Sequence, residues 1–178
     1  MPTRRQVIAG ISAAALLPAV PRIGAGAAAA RRHVHLFSKH LQWLDYGAMA
    51  ETAAGIGFDG VDLTVRPGGH VLPERVAQDL PKAVEAVRNA GLVADRVTTA
   101  ITDPDDPSTE RILDAAAAQG IKICRLGWLK YDRHQPLPAQ IDAFRPRMER
   151  LVSLFERYGV HGAYQNHAGT GVGSPVWD

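Results

Sequence analysis

Residues 60–66 of the chain read Gly60-Val61-Asp62-Leu63-Thr64-Val65-Arg66, and this stretch decides the fold. Its apolar and β-branched residues predict a strand, in which successive side chains point to opposite faces. The valines and the leucine share one face, whereas Asp62, Thr64 and Arg66 share the other. A parallel strand with helices on both sides is apolar on both faces. Charges on one face favour a barrel, in which functional groups gather at the mouth formed by the carboxyl ends of the strands.

Four further runs of apolar or β-branched residues predict strands, with helical stretches between them. The predicted strands start roughly 30 residues apart, the spacing of a repeated strand–helix unit with parallel strands. These four are His33–Phe37, Leu92–Thr99, Ile121–Leu126 and Val160–Tyr164.

The helical stretches are amphipathic or alanine-rich, and a glycine follows each of them directly. Glycine often ends a helix because it adopts the left-handed conformation without strain. We expect Asp79 and Ser108 to be N-caps, and Pro146 to kink or restart the last helix. The predicted helices are Tyr46–Ile56, Asp79–Ala90, Ser108–Gln119 and Gln140–Tyr158.

Two α/β architectures agree with this pattern. The first is a partial (βα)8 TIM barrel with five parallel strands and four helices, and the second is a five-stranded doubly wound sheet. A complete barrel needs about 250 residues, so length favours the second. The charged face of residues 60–66 favours the first, and we therefore expect residues 31–178 to form the N-terminal part of a barrel, truncated after the fifth strand.

The first 30 residues predict a cleaved signal peptide of the twin-arginine type. Thr3-Arg4-Arg5-Gln6-Val7-Ile8 resembles the twin-arginine signal, and Ala25-Gly26-Ala27 offers small residues for cleavage. The apolar run between them is shorter than the roughly 20 residues of a membrane span. We expect a protein that is exported to the periplasm or secreted, with no stable membrane span.

Composition excludes several other classes of protein. The chain has 178 residues with 46% hydrophobic residues, which is enough for one domain with a core. Its single cysteine, Cys124, excludes an intrachain disulfide, and we expect it in the core. The leader's three arginines exceed the formal net charge of +2, so the remainder is close to neutral and predicts no nucleic-acid partner.

Polar side chains follow several predicted strands at the edge where barrel enzymes place their active sites. Lys39 ends the first strand, Arg125 lies near the end of the fourth, and His70 follows the second on a glycine-containing loop. Three polar residues, Gln165, Asn166 and His167, end the fifth strand. We expect these side chains, together with Asp62 and Arg66, to converge on one cavity.

Four stretches together resemble the sugar phosphate isomerase/epimerase family, within the xylose isomerase-like TIM barrel superfamily. They are Gly57-Phe58-Asp59-Gly60-Val61-Asp62-Leu63, Gly69-His70, Arg125-Leu126-Gly127-Trp128 and Gln165-Asn166-His167-Ala168-Gly169. The resemblance implies a small sugar or sugar-phosphate substrate and a divalent metal, Mn²⁺, Mg²⁺, Co²⁺ or Zn²⁺. It also implies isomerisation or epimerisation next to a carbonyl, in which the metal polarises the carbonyl while a carboxylate moves the proton.

Carried onto this chain, the resemblance divides the candidate residues by role. The catalytic candidates are His70, His167 and Lys39. The substrate-binding candidates are Asp62, Arg66, Arg125 and Asn166. Gln165 stands where many relatives have a metal-binding glutamate, and a neutral amide is a poor metal ligand that cannot act as a base. The remaining ligands are expected from strands six to eight.

Three other functions remain open from the sequence. The first is a non-catalytic carbohydrate-binding remnant in which Gln165 has replaced the catalytic carboxylate. The second is a metal-dependent endonuclease of the same fold, which the near-neutral charge disfavours. The third is a complete doubly wound domain that binds a small anionic ligand. Each reading is compatible with a homo-oligomer.

Overall fold

The core of the chain is one sheet of five parallel strands. The computed structural model describes residues 32–173, and the predicted leader, residues 1–30, lies outside them. The strands are β1 (His35–Phe37), β2 (Gly60–Val65), β3 (Val93–Thr99), β4 (Ile123–Arg125) and β5 (His161–Ala163). The helices are α1 (Tyr46–Ile56), α2 (Val76–Asn89), α3 (Pro107–Ala118) and α4 (Leu137–Tyr158). Short 3₁₀ turns at Ser38–Leu41 and Pro73–Arg75 follow β1 and precede α2.

The order of the strands decides between the two predicted architectures. In a doubly wound sheet the order reverses at a switch point, so some strands that are neighbours in sequence are separated in space. Here the order is β1-β2-β3-β4-β5, and each strand lies beside its predecessor as in a barrel. The partial barrel is therefore confirmed, and the doubly wound alternative is wrong.

All four helices lie on one face of the sheet. They pack in sequence order, α1 on α2, α2 on α3 and α3 on α4, because crossovers between neighbouring parallel strands share one hand. Val61, Leu63 and Val65 of β2 are fully buried beneath this layer, as predicted. The opposite face of the sheet carries Asp62 and its polar neighbours, and we call it the inner face.

Two predicted N-caps are wrong. Helix α2 begins at Val76, so Asp79 lies in its first turn, where it accepts a hydrogen bond of 2.6 Å from Nε of Arg75. Asp106 is the N-cap of α3, and its side chain accepts from the backbone N–H of Ser108 at 2.7 Å. A side-chain cap marks the start of α3, whereas α2 follows the 3₁₀ turn Pro73–Arg75 directly and has no side-chain cap.

The helix ends are better predicted than the starts. Gly57 ends α1 and Gly159 ends α4, both in the left-handed conformation, with φ of 97° and 63°. Helix α4 continues as one helix through Pro146, so the expected restart there is absent. Within residues 32–173 we find no helix with the length and hydropathy that a bilayer crossing requires.

Cys124 lies in the core, as its position in β4 predicts. Its side chain is fully buried, and burial raises the pKa of its thiol to about 12. A thiol with such a pKa is protonated at neutral pH and is a poor nucleophile.

Gly60 allows β1, β2 and β3 to come close together at the start of β2. The register between β2 and β3 shifts by one residue here, because Gly60 pairs with Val93 whereas Asp62 pairs with Arg96. A Cβ on Gly60 would lie 2.5 Å from the ring of His35 and 2.6 Å from the carbonyl oxygen of Val93. Only glycine fits this position without moving the backbone of β3.

We therefore expect Gly60→Ala to lower the free energy of unfolding by roughly 1–3 kcal/mol. The matched control is Gly55→Ala in α1, because a Cβ at Gly55 meets nothing within 4 Å. Alanine is favoured over glycine in a helix by about 1 kcal/mol, so the control should be as stable as the wild type or more stable. Urea unfolding followed by circular dichroism measures both. Equal stability of the two variants would contradict the close approach at Gly60.

Candidate functional site

A row of hydrogen-bonded side chains crosses the inner face from β2 to the end of β5. The hydroxyl of Thr98 donates to Oδ2 of Asp62 at 2.9 Å. Nε of Arg125 donates to the same hydroxyl oxygen at 3.2 Å, and Nη1 of Arg125 donates to Oε1 of Gln165 at 2.9 Å. The row therefore joins side chains from β2, β3, β4 and the segment after β5, and it runs from the middle of β2 to the carboxyl-terminal edge of the sheet. Such an edge is where ligands of parallel α/β folds bind.

Asp62 keeps one carboxylate oxygen without a protein partner. Its Oδ2 accepts from Thr98, whereas its Oδ1 is buried and has no hydrogen bond among the described residues. Burial raises the pKa of Asp62 above its usual range, and the hydrogen bond from Thr98 and the charge of Arg125 oppose that shift. A desolvated oxygen with no donor is a natural acceptor for a ligand hydroxyl.

Arg125 lies against an aromatic ring that the sequence did not assign to the site. Its guanidinium carbon is 5.1 Å from the centroid of the Trp128 ring, and that ring lies 4.5 Å from the imidazole of His167. Trp128 is 39% exposed, so it presents part of its ring to solvent beside the row. The sequence does contain a signal for Trp128, because this residue ends one of the four stretches that resemble the family.

Arg66 adds a second cation to the inner face. Its guanidinium carbon lies 5.7 Å from the centroid of the Phe37 ring. Burial lowers the pKa of Arg125, the carboxylate of Asp62 opposes this shift, and the charge of Arg66 adds to it. Arg66 follows Thr64 by two residues, and the register that pairs Thr64 with Thr98 and Thr98 with Arg125 places both arginines on the inner face.

His70 contacts a backbone carbonyl and an aromatic ring, and it does not join the row of hydrogen-bonded side chains. Its Nε2 lies 2.9 Å from the carbonyl oxygen of Leu44, and its ring is 5.1 Å from the ring of Tyr46. Burial lowers the pKa of His70, so its neutral form is favoured. The backbone N–H of His70 donates to the hydroxyl of Thr64 at 2.8 Å, and Thr64 is bonded in turn to Ser38. These contacts connect the loops that follow β1 and β2, and a catalytic role for His70 stays a prediction.

Three other predicted residues lie near the mouth without joining the row. Lys39 is exposed on the turn after β1, and Asn166 is exposed beyond the end of β5. His167 is also exposed, and its Nδ1 lies 3.0 Å from the carbonyl oxygen of Ala168. The structure thus connects Asp62 to Arg125 through the hydroxyl of Thr98, and Arg125 directly to Gln165. His167 lies beside this row, against the ring of Trp128.

Thr98 is the residue of the row that sequence reasoning missed. A threonine inside a β-strand is ordinary, because β-branched residues are common in strands. Thr98 is fully buried, and its hydroxyl bonds both charged neighbours. Only the register of β2, β3 and β4 brings these three side chains together.

The described residues do not fit the divalent metal that the fold family implies. Among residues 32–173, no three His, Cys, Asp or Glu side chains come together in a group that could hold a metal ion. Oε1 of Gln165 is the oxygen that would replace a glutamate ligand, and it accepts from Arg125. A guanidinium at this distance also repels a second cation.

Comparison with solved structures identifies the fold. The 3-keto-D-glucoside 4-epimerase YcjR from E. coli matches 80% of this chain at 12% identity, with a TM-score of 0.59. D-allulose 3-epimerase from Methylomonas sp., in complex with D-allulose, matches 80% at 16% identity, with a TM-score of 0.57. The chain has the xylose isomerase-like fold. A protein from Rhodospirillum rubrum that is described as a xylose isomerase also matches, over 79% of the chain at 14% identity with a TM-score of 0.58.

The xylose isomerase-like fold is present here over part of its usual length. The chain spans 59% of the E. coli epimerase and 54% of the Methylomonas epimerase. Neither a protein-family model nor a curated protein sequence matches the chain. The resemblance expected from the sequence is thus confirmed at the level of the fold.

The raised pKa of Asp62 predicts a pH-dependent stability. The folded chain holds the Asp62 proton more tightly than the unfolded chain, so the wild type should lose stability as pH rises from the ordinary value of 3.8 through the folded pKa. Asp62→Asn lacks this titration, and its amide oxygen can still accept from Thr98. We expect the unfolding free energy of the variant, minus that of the wild type, to increase from about pH 4 to about pH 7 in urea titrations. A difference that stays constant or decreases would contradict the raised pKa.

Proposed function

We propose that residues 32–173 form the substrate-binding part of a sugar isomerase or epimerase. The observation that carries this proposal is the row Asp62–Thr98–Arg125–Gln165, placed at the carboxyl-terminal edge of the sheet with the partly exposed ring of Trp128 beside it. The fold shared with sugar epimerases supports it.

The row offers the groups that a sugar needs for binding. Oδ1 of Asp62 can accept a hydrogen bond from a sugar hydroxyl, because it is desolvated and has no donor. Arg125 can donate to a carbonyl or hydroxyl oxygen of the sugar, since a guanidinium carries five N–H donors and two are used in the row. The ring of Trp128 can stack on the apolar C–H face of the sugar.

Isomerisation and epimerisation both begin with removal of a proton next to a carbonyl. Gln165 cannot take the proton, because an amide is not a base at neutral pH. A metal-assisted reaction would need ligands from outside residues 32–173, because these residues provide no set of three.

A second candidate is a carbohydrate-binding protein without turnover. The hydrogen bond between Arg125 and Gln165 favours it, because a neutral amide stands in the place of a reactive carboxylate. Both candidates share the same binding residues, and they differ only in whether the bound sugar reacts.

Binding and turnover should therefore separate in the isolated chain. We expect the 178-residue protein to bind sugars but to show no appreciable isomerase or epimerase turnover with Mn²⁺, Mg²⁺ or Co²⁺. Calorimetry and a panel of ketoses, aldoses and their phosphates measure the two properties. Trp128→Ala should weaken binding by about tenfold through loss of stacking, whereas Trp128→Phe should retain most of the affinity.

Two results would contradict this proposal. Equal affinity of the alanine and phenylalanine variants for every sugar would exclude Trp128 from the site. Turnover that is lost in His167→Ala would show that the chain carries its own catalytic base, and it would reject the carbohydrate-binding alternative.

Export through the twin-arginine route is a further part of the proposal, carried by Arg4 and Arg5 in the leader. A reporter fused behind residues 1–30 should reach the periplasm of a bacterium that has this route. Replacing both arginines by lysine should keep the reporter in the cytoplasm, although the charge is conserved. Export of the lysine variant at the wild-type level would contradict the assignment.

A further inference from the structure

We infer that Arg125, with Arg66 beside it, supplies the positive charge of the inner face, and that the site binds a carboxylate- or phosphate-bearing sugar without a divalent metal. This inference rests on the proposed function, because it concerns the ligand of the same row. It differs from the expectation of the fold family, in which a metal holds the substrate.

Within the described part of the chain, neither arginine has a carboxylate in direct contact. Among residues 32–173, no salt bridge joins Arg66 or Arg125 to an acidic side chain. Asp62 reaches Arg125 only through the hydroxyl of Thr98. Arg96, the remaining arginine of these strands, is paired with Asp95 at 2.8 Å. Apart from the Arg96–Asp95 pair, the described part of the inner face thus places Arg66 and Arg125 near the carboxylate of Asp62.

The environment of Arg125 makes an unpaired charge unfavourable. Its guanidinium is partly withdrawn from water, and burial lowers its pKa. A partly buried cation is stabilised when a negative group completes its contacts. Two of its five N–H groups are used by Thr98 and Gln165, and the structure gives the others no partner in the described part of the chain.

A metal ion would be a poor occupant of this position. Gln165 has turned its carbonyl oxygen to Arg125, and the cations already present oppose a further positive charge. An anionic group is a better occupant than a metal ion, because both arginines attract it. Carboxylate and phosphate share the planar or forked oxygen geometry that a guanidinium binds through two hydrogen bonds.

A neutral sugar alone does not explain the pair of arginines. Hydroxyl groups are bound well by neutral or singly charged side chains, and Asp62 and Trp128 already offer such contacts. Arg66 adds a second positive charge to the site, and the attraction of that charge favours a ligand only when the ligand is anionic. We therefore assign the charged end of the ligand to Arg66 and Arg125, and its hydroxyl groups to Asp62.

Calorimetric titration of the full chain tests this inference. The titrants are a hexose 6-phosphate, a hexuronate, a neutral hexose and inorganic phosphate, each with excess EDTA and again with added Mn²⁺. We expect the hexose 6-phosphate or the hexuronate to bind at least about tenfold more tightly than the neutral hexose, equally with EDTA and with Mn²⁺. The preference between the two anionic sugars distinguishes phosphate from carboxylate as the charged group.

Three variants assign the effect to residues. Arg66→Gln and Arg125→Gln should each remove most of the preference for the anionic sugar. The control Arg111→Gln makes the same change on an exposed position of α3 and should leave the preference unchanged. Thermal unfolding shows whether each variant is folded. If Arg125→Gln does not fold, Arg66→Gln and Arg125→Lys test the inference in its place. Arg125→Lys should lose affinity for the anionic sugar, because lysine cannot form the two parallel hydrogen bonds of a guanidinium.

The possible failures have different meanings. Equal binding of neutral and anionic sugars, or anionic binding that requires Mn²⁺, would overturn this inference and leave the proposed function standing. Binding of inorganic phosphate with no gain from an attached sugar would confirm the arginine site and contradict the proposed function. Absence of binding for all four titrants would overturn both.

Discussion

The hydroxyl group of Thr98 holds together the two charged groups on which the inner face depends. It donates to Asp62 and accepts from Arg125, and a hydroxyl is one of the few side-chain groups that can do both at once. Without it, Asp62 would be a desolvated carboxylate with no hydrogen bond to the protein, which is strongly unfavourable. Arg125 then orients Gln165. One buried hydroxyl therefore connects side chains from three neighbouring strands and from the segment after β5.

A second buried threonine hydroxyl connects neighbouring parts of the sheet. Thr64 pairs in register with Thr98, and both side chains are fully buried. The hydroxyl of Thr64 bonds to Ser38 at the end of β1 and accepts from the backbone of His70. One threonine thus connects the sheet to the loops after β1 and β2, and the other connects β2 to β4. Buried hydroxyls allow a parallel sheet to hold polar groups on its inner face without leaving backbone donors unpaired.

The xylose isomerase-like fold is present here with an arginine–amide contact where the sheet ends. Gln165, which stands at the position of the family's metal-binding glutamate, accepts a hydrogen bond from Arg125. Because the guanidinium is positively charged, the inner face can attract negative charge through its own side chains. The barrel scaffold accommodates such a change because its strands position the side chains, whereas the chemistry depends on which residues stand at the strand ends.

The sequence alone determined the strands, the helices, the parallel sheet and the class of fold, because these follow from local periodicity and from glycines at the helix ends. It also named Asp62, because a charge on one face of a buried strand stands out, and Arg125 and Gln165, because they stand at or after strand ends. The starts of α2 and α3, the contribution of Trp128 and the central position of Thr98 were decided by the tertiary structure. Each of these depends on the register of neighbouring strands or on competition between nearby side chains, and such distances are set only when the whole sheet is assembled.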